Sequence, residues 1–377
     1  MPPRSALRVG VDASRATVTQ RTGTERYAYE LITALIKLNT RAGGGASPPR
    51  QLRLYFRDPP APGLFPGAEH RLIRSPRLWT HAGLSLELLR ARPDVLFVPA
   101  HVLPLLHPVP SVVTVHDLGY HYFPDAHPAR QRRYLEWSTR FSARGANHLL
   151  ADSQATRADL VALYGVAPEK VTVVYPGRDE SLAPTDPAPV RARYHLPDDY
   201  LLHVGTLQPR KNLLRLMEAV AALREQGQNV NLVLAGRAGW LSEPILARAR
   251  EMAGVVRVLD YVPDADLAGL YAGAGVFAFP SLYEGFGFPV LEALACETPV
   301  VCANTSSLPE LAGDAALLVD PTDVAALAQA LHRAITDTAL RATLIARGRE
   351  QVQRFSWERA ARETMRVLEE TARKGGK

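Results

Sequence analysis

VFAFPSLYEGFGFPVLEALA, residues 276–295, reads as a buried strand, a glycine-bearing loop and the start of a helix. Val276–Phe279 is a short apolar run without polar alternation, the pattern of a strand covered on both faces. Gly285 and Gly287 give a loop whose backbone can approach a ligand closely. From Pro289 to Ala295 the pattern is that of a helix start, so free N–H groups point back into the loop. Two carboxylates stand eight residues apart, Glu284 in the loop and Glu292 a turn into the helix. Both can face one polyhydroxylated ligand, because carboxylates accept hydrogen bonds from sugar and ribose hydroxyls. The bland alternative makes Glu284 a helix-dipole partner and Glu292 a surface charge. The strand, the two glycines and Pro289 together favour the ligand.

Similar short runs recur along the whole chain. In the first half they are Leu7–Val11, Leu52–Phe56, Asp94–Val98, Val112–Val115, His148–Ala151 and Val171–Val174. In the second they are Tyr200–Val204, Asn231–Ala235, Val255–Leu259, Val276–Phe279, Pro299–Cys302 and Ala315–Val319. Helical patterns lie between many of them, as in Asn212–Gln226, where Leu213, Leu216, Val220 and Leu223 share one face. Strand–helix alternation twice over predicts an α/β protein with two Rossmann-like, doubly wound parallel sheets. The boundary is expected near Tyr175-Pro176-Gly177, giving domains 1–176 and 177–355, followed by a last helix at 356–377. Residues 181–199, SLAPTDPAPVRARYHLPDD, have the composition of a linker. Segments 41–50 and 57–68 read as surface loops.

Composition narrows the function. The chain has 377 residues and 41.2 kDa, 47% of them apolar and 22% charged, as in an ordinary globular protein of two domains. Two cysteines exclude a disulfide scaffold and a four-cysteine zinc site. The apolar stretch Val95–Val115 carries four prolines and is a poor membrane span. The N-terminus lacks the apolar core of a signal peptide, so a cytoplasmic protein is expected. Residues 1–176 hold 22 Lys+Arg against 13 Asp+Glu, and residues 177–377 hold 22 against 25. A basic first half can face an anionic membrane, a phosphorylated acceptor or nucleic acid. No nucleic-acid motif accompanies it, and an Arg-rich surface with no particular partner is the plainer explanation.

Three further constellations carry chemistry. Val204-Gly-Thr206-Leu-Gln-Pro-Arg210-Lys211-Asn212 lies between a strand and a helix. With Asn212 as N-cap, Arg210 and Lys211 stand beside a positive helix end, a suitable diphosphate site. Only five lysines occur in the chain, so Lys211 is not part of a general excess. Gly23 precedes a helix pattern at Glu25–Lys37 and can bring backbone N–H groups to a phosphate. His116, in Val115-His116-Asp117-Leu118, closes a strand, where a lone histidine is usually structural. Asp264-Ala-Asp266 has the spacing of a metal motif but opens a helix and reads as first-turn caps. His101, His107 and His121 form no metal-ligand pattern.

Glu284 and Glu292 with seven residues between them, in the context EGFGFPVLEA, resemble the signature of the retaining glycosyltransferases of family 4, which share the GT-B fold. The resemblance covers most of the chain. It implies that Glu284 and the Phe286–Gly287 backbone hold a donor sugar, and that Glu292 binds the nucleotide's ribose. It further implies that Arg210 and Lys211 neutralise the leaving diphosphate in place of a metal, with Thr206 in the same loop. Tyr261 and Val262 match the segment that pairs with the nucleobase edge, and His116 matches a histidine that faces the donor sugar. Where the family often has a double glycine, this chain has Gly23 followed by Thr24. The last helix is expected to cross back to the first domain, as in the family. HDL with Tyr122-Phe123-Pro124 and Arg132-Arg133-Tyr134 is similar to the bacterial polysaccharide mannosyltransferases, making GDP-mannose the first choice of donor. The implied partners are a nucleotide-sugar and a saccharide or lipid-linked saccharide acceptor, with no cofactor or metal; the charge asymmetry of the two halves adds, independently of the resemblance, an expected peripheral contact at the inner face of an anionic membrane and no nucleic acid. The rivals are a nucleotide-sugar epimerase of the same fold, a retaining hydrolase and a non-catalytic nucleotide-sugar-binding protein.

Overall fold

The structure is a computed structural model and describes residues 6–18, 21, 23–42, 50–75 and 77–375. Residues 43–49 of the expected loop 41–50, and Gln20 beside the Gly23 motif, lie outside the described residues. The chain forms two compact units, one of residues 1–118, 133–177 and 355–377, the other of residues 119–132 and 178–354.

The first half of the chain runs β1 (Leu7–Asp12), α1 (Gly23–Ala42), β2 (Arg50–Phe56), β3 (Glu69–Leu72), α2 (Ser85–Arg90), β4 (Val95–Val98) and β5 (Ser111–Val115). It continues with α3 (Gly119–Tyr122), α4 (Ala129–Gly145), β6 (His148–Ala151), α5 (Gln154–Tyr164) and β7 (Val171–Val173). The seven strands form one parallel sheet in the order β3-β2-β1-β4-β5-β6-β7. Six of them stand where the apolar runs predict. The seventh, β3, reads EHRL and is exposed on this edge, so it offers no apolar run to find.

The second half runs α6 (Ala188–Tyr194), β8 (Leu201–Val204), α7 (Leu213–Glu225), β9 (Leu232–Ala235), α8 (Glu243–Glu251), β10 (Val256–Leu259) and α9 (Asp264–Ala272). It ends with β11 (Val276–Phe279), α10 (Phe288–Ala295), β12 (Val300–Ala303), α11 (Leu308–Ala312), β13 (Ala316–Val319), α12 (Val324–Thr336), α13 (Thr338–Gln351) and α14 (Trp357–Gly375). Its sheet is also parallel, in the order β10-β9-β8-β11-β12-β13. Leu213, Leu216, Val220 and Leu223 of α7 are buried with Leu232 and Leu234 of β9, as the helical spacing predicts.

Two expectations change. Residues 181–199 are not a free linker. Leu182, Val190 and Leu196 are buried, and α6 packs on α9 so closely that a Cβ on Gly269 would lie 2.5 Å from Val190 Cγ2. Three apolar side chains among many polar ones suffice for that docking but leave little composition signal. Residues 119–132 belong to the second unit rather than to domain 1–176. The Tyr122 ring stacks on Tyr283 at 5.3 Å, His127 lies 5.4 Å from Trp240, and the Trp240 indole donates to the Ala126 carbonyl.

Helix α14 is part of the first unit, packed on α1. Its buried face is Trp357, Ala360, Ala361, Thr364, Met365, Val367 and Leu368, with Glu369 paired to Arg50 at 2.7 Å. Gly177 lies against the start of this helix, and a Cβ there would fall 2.2 Å from the Trp357 backbone nitrogen. Gly177→Ala should therefore lower the stability of the first unit by about 1–3 kcal/mol, the usual cost of overpacking. A urea titration of the intact chain reads the shift, and an unchanged midpoint would mean the backbone yields without strain.

Candidate functional site

In the second unit the strand order reverses between β8 and β11. Ligands of open parallel sheets bind beyond the carboxyl ends of the strands at such a reversal. The sequence sends its two chemically loaded loops there, 205–212 from β8 and 280–287 from β11.

The β8 loop ends in a tight turn, Pro209–Lys211, followed by Asn212 in the left-handed region (φ 59°, ψ 33°). Asn212 does not cap α7 with its side chain, because an N-cap needs extended backbone. Its amide instead donates to the carbonyls of Pro280 (3.1 Å) and Pro321 (2.6 Å), and the Leu282 N–H donates to the Arg210 carbonyl (2.9 Å). The two loops are thus sewn together. Gly236 permits a third approach, since a Cβ there would sit 2.1 Å from the Gly205 carbonyl oxygen.

These ties bring Arg210, Lys211 and Glu284 together. Lys211 Nζ donates to Glu284 Oε1 at 2.6 Å, and Arg210 Nη1 reaches Glu284 Oε2 at 3.3 Å while donating to the Tyr283 carbonyl. Lys211 is buried and its ammonium lies 4.8 Å from the centre of the Phe279 ring, a cation–π distance. Burial alone would raise the Glu284 carboxyl. Lys211 and then Arg210 overturn that and hold it at about 2.

Below them His203 of β8 is fully buried and stacked on Phe279 at 5.4 Å. Burial and the neighbouring Lys211 push its pKa down to about 3, so the ring is neutral, with Nδ1 donating to the Ala278 carbonyl at 3.0 Å. The Glu284 loop is held from behind by Ser306 and Ser307. The Glu284 N–H donates to Ser306 Oγ at 2.8 Å, and Ser307 Oγ donates to the carbonyls of Glu284 and Phe286. Gly287 has φ 110°, and a Cβ there would press on Leu308 at 2.8 Å.

Glu292 is also buried, and the Tyr271 hydroxyl donates to its Oε2 at 2.8 Å. Phe286 is buried with its ring edge-on to Phe288, and Thr206 is half-buried in the β8 loop. Sequence reasoning missed Tyr271, Ser306, Ser307 and His203. The polar cluster Asn304-Thr305-Ser306-Ser307 after a strand was the available signal for the serines. Tyr271 gives none, standing at an ordinary helical position.

Tyr261 and Val262 follow β10, two strands from β8. Val262 is buried. Tyr261 is exposed under the Arg237 guanidinium (4.9 Å), and its N–H is taken by Asp260 Oδ1 at 2.8 Å. Asp266 is no simple cap, since it accepts from the Tyr194 hydroxyl at 2.7 Å and from Arg193. A cavity of about 720 Å³ lies at the other end of the sheet, between His195–Pro197, the starts of β9 and β10, and α8, with none of the candidate residues in its walls. Among the described residues no three His, Cys, Asp or Glu side chains form a metal-holding group.

In the first unit His116 follows β5, with Nδ1 2.6 Å from Asp152 Oδ2 and Nε2 3.2 Å from the Pro99 carbonyl. Burial opposes the charged ring, but the Asp152 carboxylate outweighs it and raises the His116 pKa. Both ring nitrogens are engaged, so His116 can donate to a ligand only by giving up one of these partners. Asp152, missed in the sequence, directly follows β6, the strand next to β5. Gly23 opens α1 and is exposed.

The Glu284 carboxyl at about 2, against an ordinary 4.5, contributes stability that is complete above pH 4.5 and lost as the pH falls toward 2. Lys211→Met should cost about 3 kcal/mol at pH 7, because it leaves a buried charge short of its nearer partner. The gap from wild type should narrow between pH 5 and 3, where a protonated Glu284 needs no counter-charge. Urea midpoints across that range check it, and a gap independent of pH would reduce Lys211 to a packing role.

A family model for "Glycosyl transferases group 1" matches residues 192–351, and one for "Glycosyltransferase Family 4" matches residues 21–182. O-antigen chain mannosyltransferase B of Escherichia coli is 37% identical over 262 residues, 68% of this chain and 69% of that protein. The serotype-specific mannosyltransferase WbdA of Escherichia coli is 31% identical over 57% of this chain, which spans only 28% of its length. Among solved structures, sucrose-phosphate synthase from Thermosynechococcus elongatus superposes with a TM-score of 0.77 at 22% identity, covering 97% of this chain and 98% of that one. Anabaena HepE, solved in complex with UDP and glucose, gives 0.71 at 20% identity, covering 97% and 99%. These two likenesses establish the GT-B fold. The chain belongs to the group 1 glycosyltransferases, with bacterial O-antigen mannosyltransferases among its relatives.

Proposed function

We propose that the chain transfers a hexosyl group, with mannose from GDP-mannose the first choice, to a hydroxyl of a saccharide or lipid-linked saccharide acceptor, with retention at the anomeric carbon and without a metal, in the cytoplasm. The observation that supports this most is the Lys211–Glu284–Arg210 cluster at the strand-order reversal. Two cations and a carboxylate, all little exposed, are what a nucleotide diphosphate joined to a polyhydroxylated sugar requires.

In this reading the donor's diphosphate takes Arg210 and Lys211 as its partners, and Glu284 turns its lone pairs to sugar hydroxyls. The Phe286–Gly287 backbone supports the sugar, Glu292 takes the ribose hydroxyls, and Tyr261–Val262 lie toward the base. Thr206 and Gly23 are the further candidates for the phosphates, and His116 is a sugar-orienting group. As the bond from the anomeric carbon to the diphosphate oxygen breaks, negative charge grows on the diphosphate, where fixed cations stabilise it best. The acceptor oxygen bonds to the same face of the sugar, and its proton passes to the departing diphosphate oxygen. No protein nucleophile is needed.

Arg210→Ala should weaken GDP binding roughly 10- to 100-fold, the worth of a hydrogen bond to a charged group. Calorimetry with GDP, UDP and ADP tests the site and the base together, and wild-type affinity in the variant would remove Arg210 from it. Turnover should survive EDTA, and the product's anomeric proton signal should report retention. Activity lost to EDTA and restored by Mg2+ would refute metal independence. Epimer formed without acceptor would favour the epimerase instead.

A further inference from the structure

The first unit holds a buried carboxylate that the transfer step leaves out. Asp152 is only 3% exposed. Among the described residues its side chain bonds to His116 alone, Oδ2 to Nδ1 at 2.6 Å, and Oδ1 has no partner. The backbone fixes this pair. β5 and β6 run parallel with Val115 beside Ala151, so the residues that follow them emerge side by side. Ser153 caps α5 by accepting from the Thr156 N–H at 3.0 Å, and the Thr156 hydroxyl donates to the His116 carbonyl at 3.1 Å. From α1, Tyr27 meets the imidazole edge-on at 4.8 Å, with its hydroxyl bonded to Thr114 Oγ1.

The protons on the ring follow from what it faces. Pro99 offers Nε2 a carbonyl oxygen, which can only accept, so Nε2 carries a hydrogen. Nδ1 faces a carboxylate oxygen, and the proton between them goes to the stronger base. Imidazole is that base, with an ordinary pKa of 6.5 against 3.8 for the carboxyl. His116 is then an imidazolium with an N–H on each side. Its surroundings do not oppose this. Asp117, next in the chain, favours the charge. Burial, and then His116 itself, hold His101 at about 4 and so neutral, and burial keeps the Tyr27 hydroxyl protonated. Arg15, which faces His101, is paired with Glu25 at 3.2 Å.

We propose that Asp152 is the positioning residue for His116, holding it as an imidazolium whose Nε2–H turns from the Pro99 carbonyl to a hydroxyl of the donor sugar. At 3.2 Å the bond to Pro99 is a long one and is exchanged at little cost. The carboxylate has a second task. A lone imidazolium would oppose the positive charge that grows on the sugar as its bond to the diphosphate breaks. Paired with Asp152 it gives a charge-assisted hydrogen bond from a couple that is neutral as a whole. The proposal rests on the sugar-orienting role of His116, and its first measurement needs neither donor nor turnover.

That measurement is nitrogen-15 NMR of the intact chain labelled at histidine, with the His116 signals assigned by their loss in His116→Gln. At about pH 7 both His116 nitrogens should carry a proton in wild type. In Asp152→Asn the titration midpoint should fall by roughly 1–3 pH units, the worth of an adjacent opposite charge. Turnover is read as GDP released from GDP-mannose. In Asp152→Asn it should drop roughly 10-fold at about pH 7.5, in line with the charged fraction lost, and recover in part at about pH 5.5, where the ring recharges. GDP affinity and the thermal midpoint should stay at wild type, and a mere packing fault would not be mended by acid. A neutral wild-type ring, with Nδ1 accepting from a protonated Asp152, would overturn the proposal. So would a loss of turnover that is equal at both pH values. A ring that is charged in wild type and discharged by Asp152→Asn, in a chain that releases no GDP, would uphold the pair and refute GDP-mannose as the donor.

Discussion

A carboxylate shut away from water cannot stand alone, and the architecture of the second unit follows from that constraint at Glu284. Its charge is tolerable because Lys211 and Arg210 are within reach, and they arrive from a loop on another strand. Cation and anion must therefore be aligned by backbone rather than by side-chain adjustment. Asn212 fastens the two loops, Ser306 and Ser307 brace the glutamate from the far side, and Gly236 and Gly287 stand where a Cβ would press on the Gly205 carbonyl and on Leu308. The neutral His203 beneath adds no third positive charge to a crowded place. The arrangement is preorganised electrostatics, with charges fixed before a substrate comes, so little reorganisation is needed when new charge appears.

The sequence made much of this visible because parallel sheets and ligand loops leave strong local marks. Buried strands are apolar runs, and a loop that must accept a ligand or a tight bend carries glycine and proline. Hence every strand of both sheets except the exposed edge strand β3, the EGFGFPVLEA loop and the Arg210–Lys211 turn could be found by pattern. What escaped depends on partners distant in the chain. Tyr271 matters because Glu292 is opposite it, 21 residues on. Asp152 matters because β6 adjoins β5, which no local pattern states. Asn212 looked like a cap, and only its left-handed backbone shows that its amide serves the other loop. Residues 181–199 show the same limit in reverse, since their polar composition hides three side chains that dock on the second unit.

The placement of residues 119–132 has a consequence for inheritance. The chain leaves the first unit after β5, joins the second through Tyr122, Ala126 and His127, and returns within α4, at Arg133. The last 23 residues return as well, so the covalent chain passes from one unit to the other four times. A recombination event with a single crossover near Gly177 would exchange the second sheet but leave 119–132 with the wrong parent. It would also bring a foreign α14 to lie on the resident α1. Whole units can be exchanged between related chains only if both of these outlying pieces are rematched. Drift in single loops is therefore the easier route to new specificity than shuffling of halves.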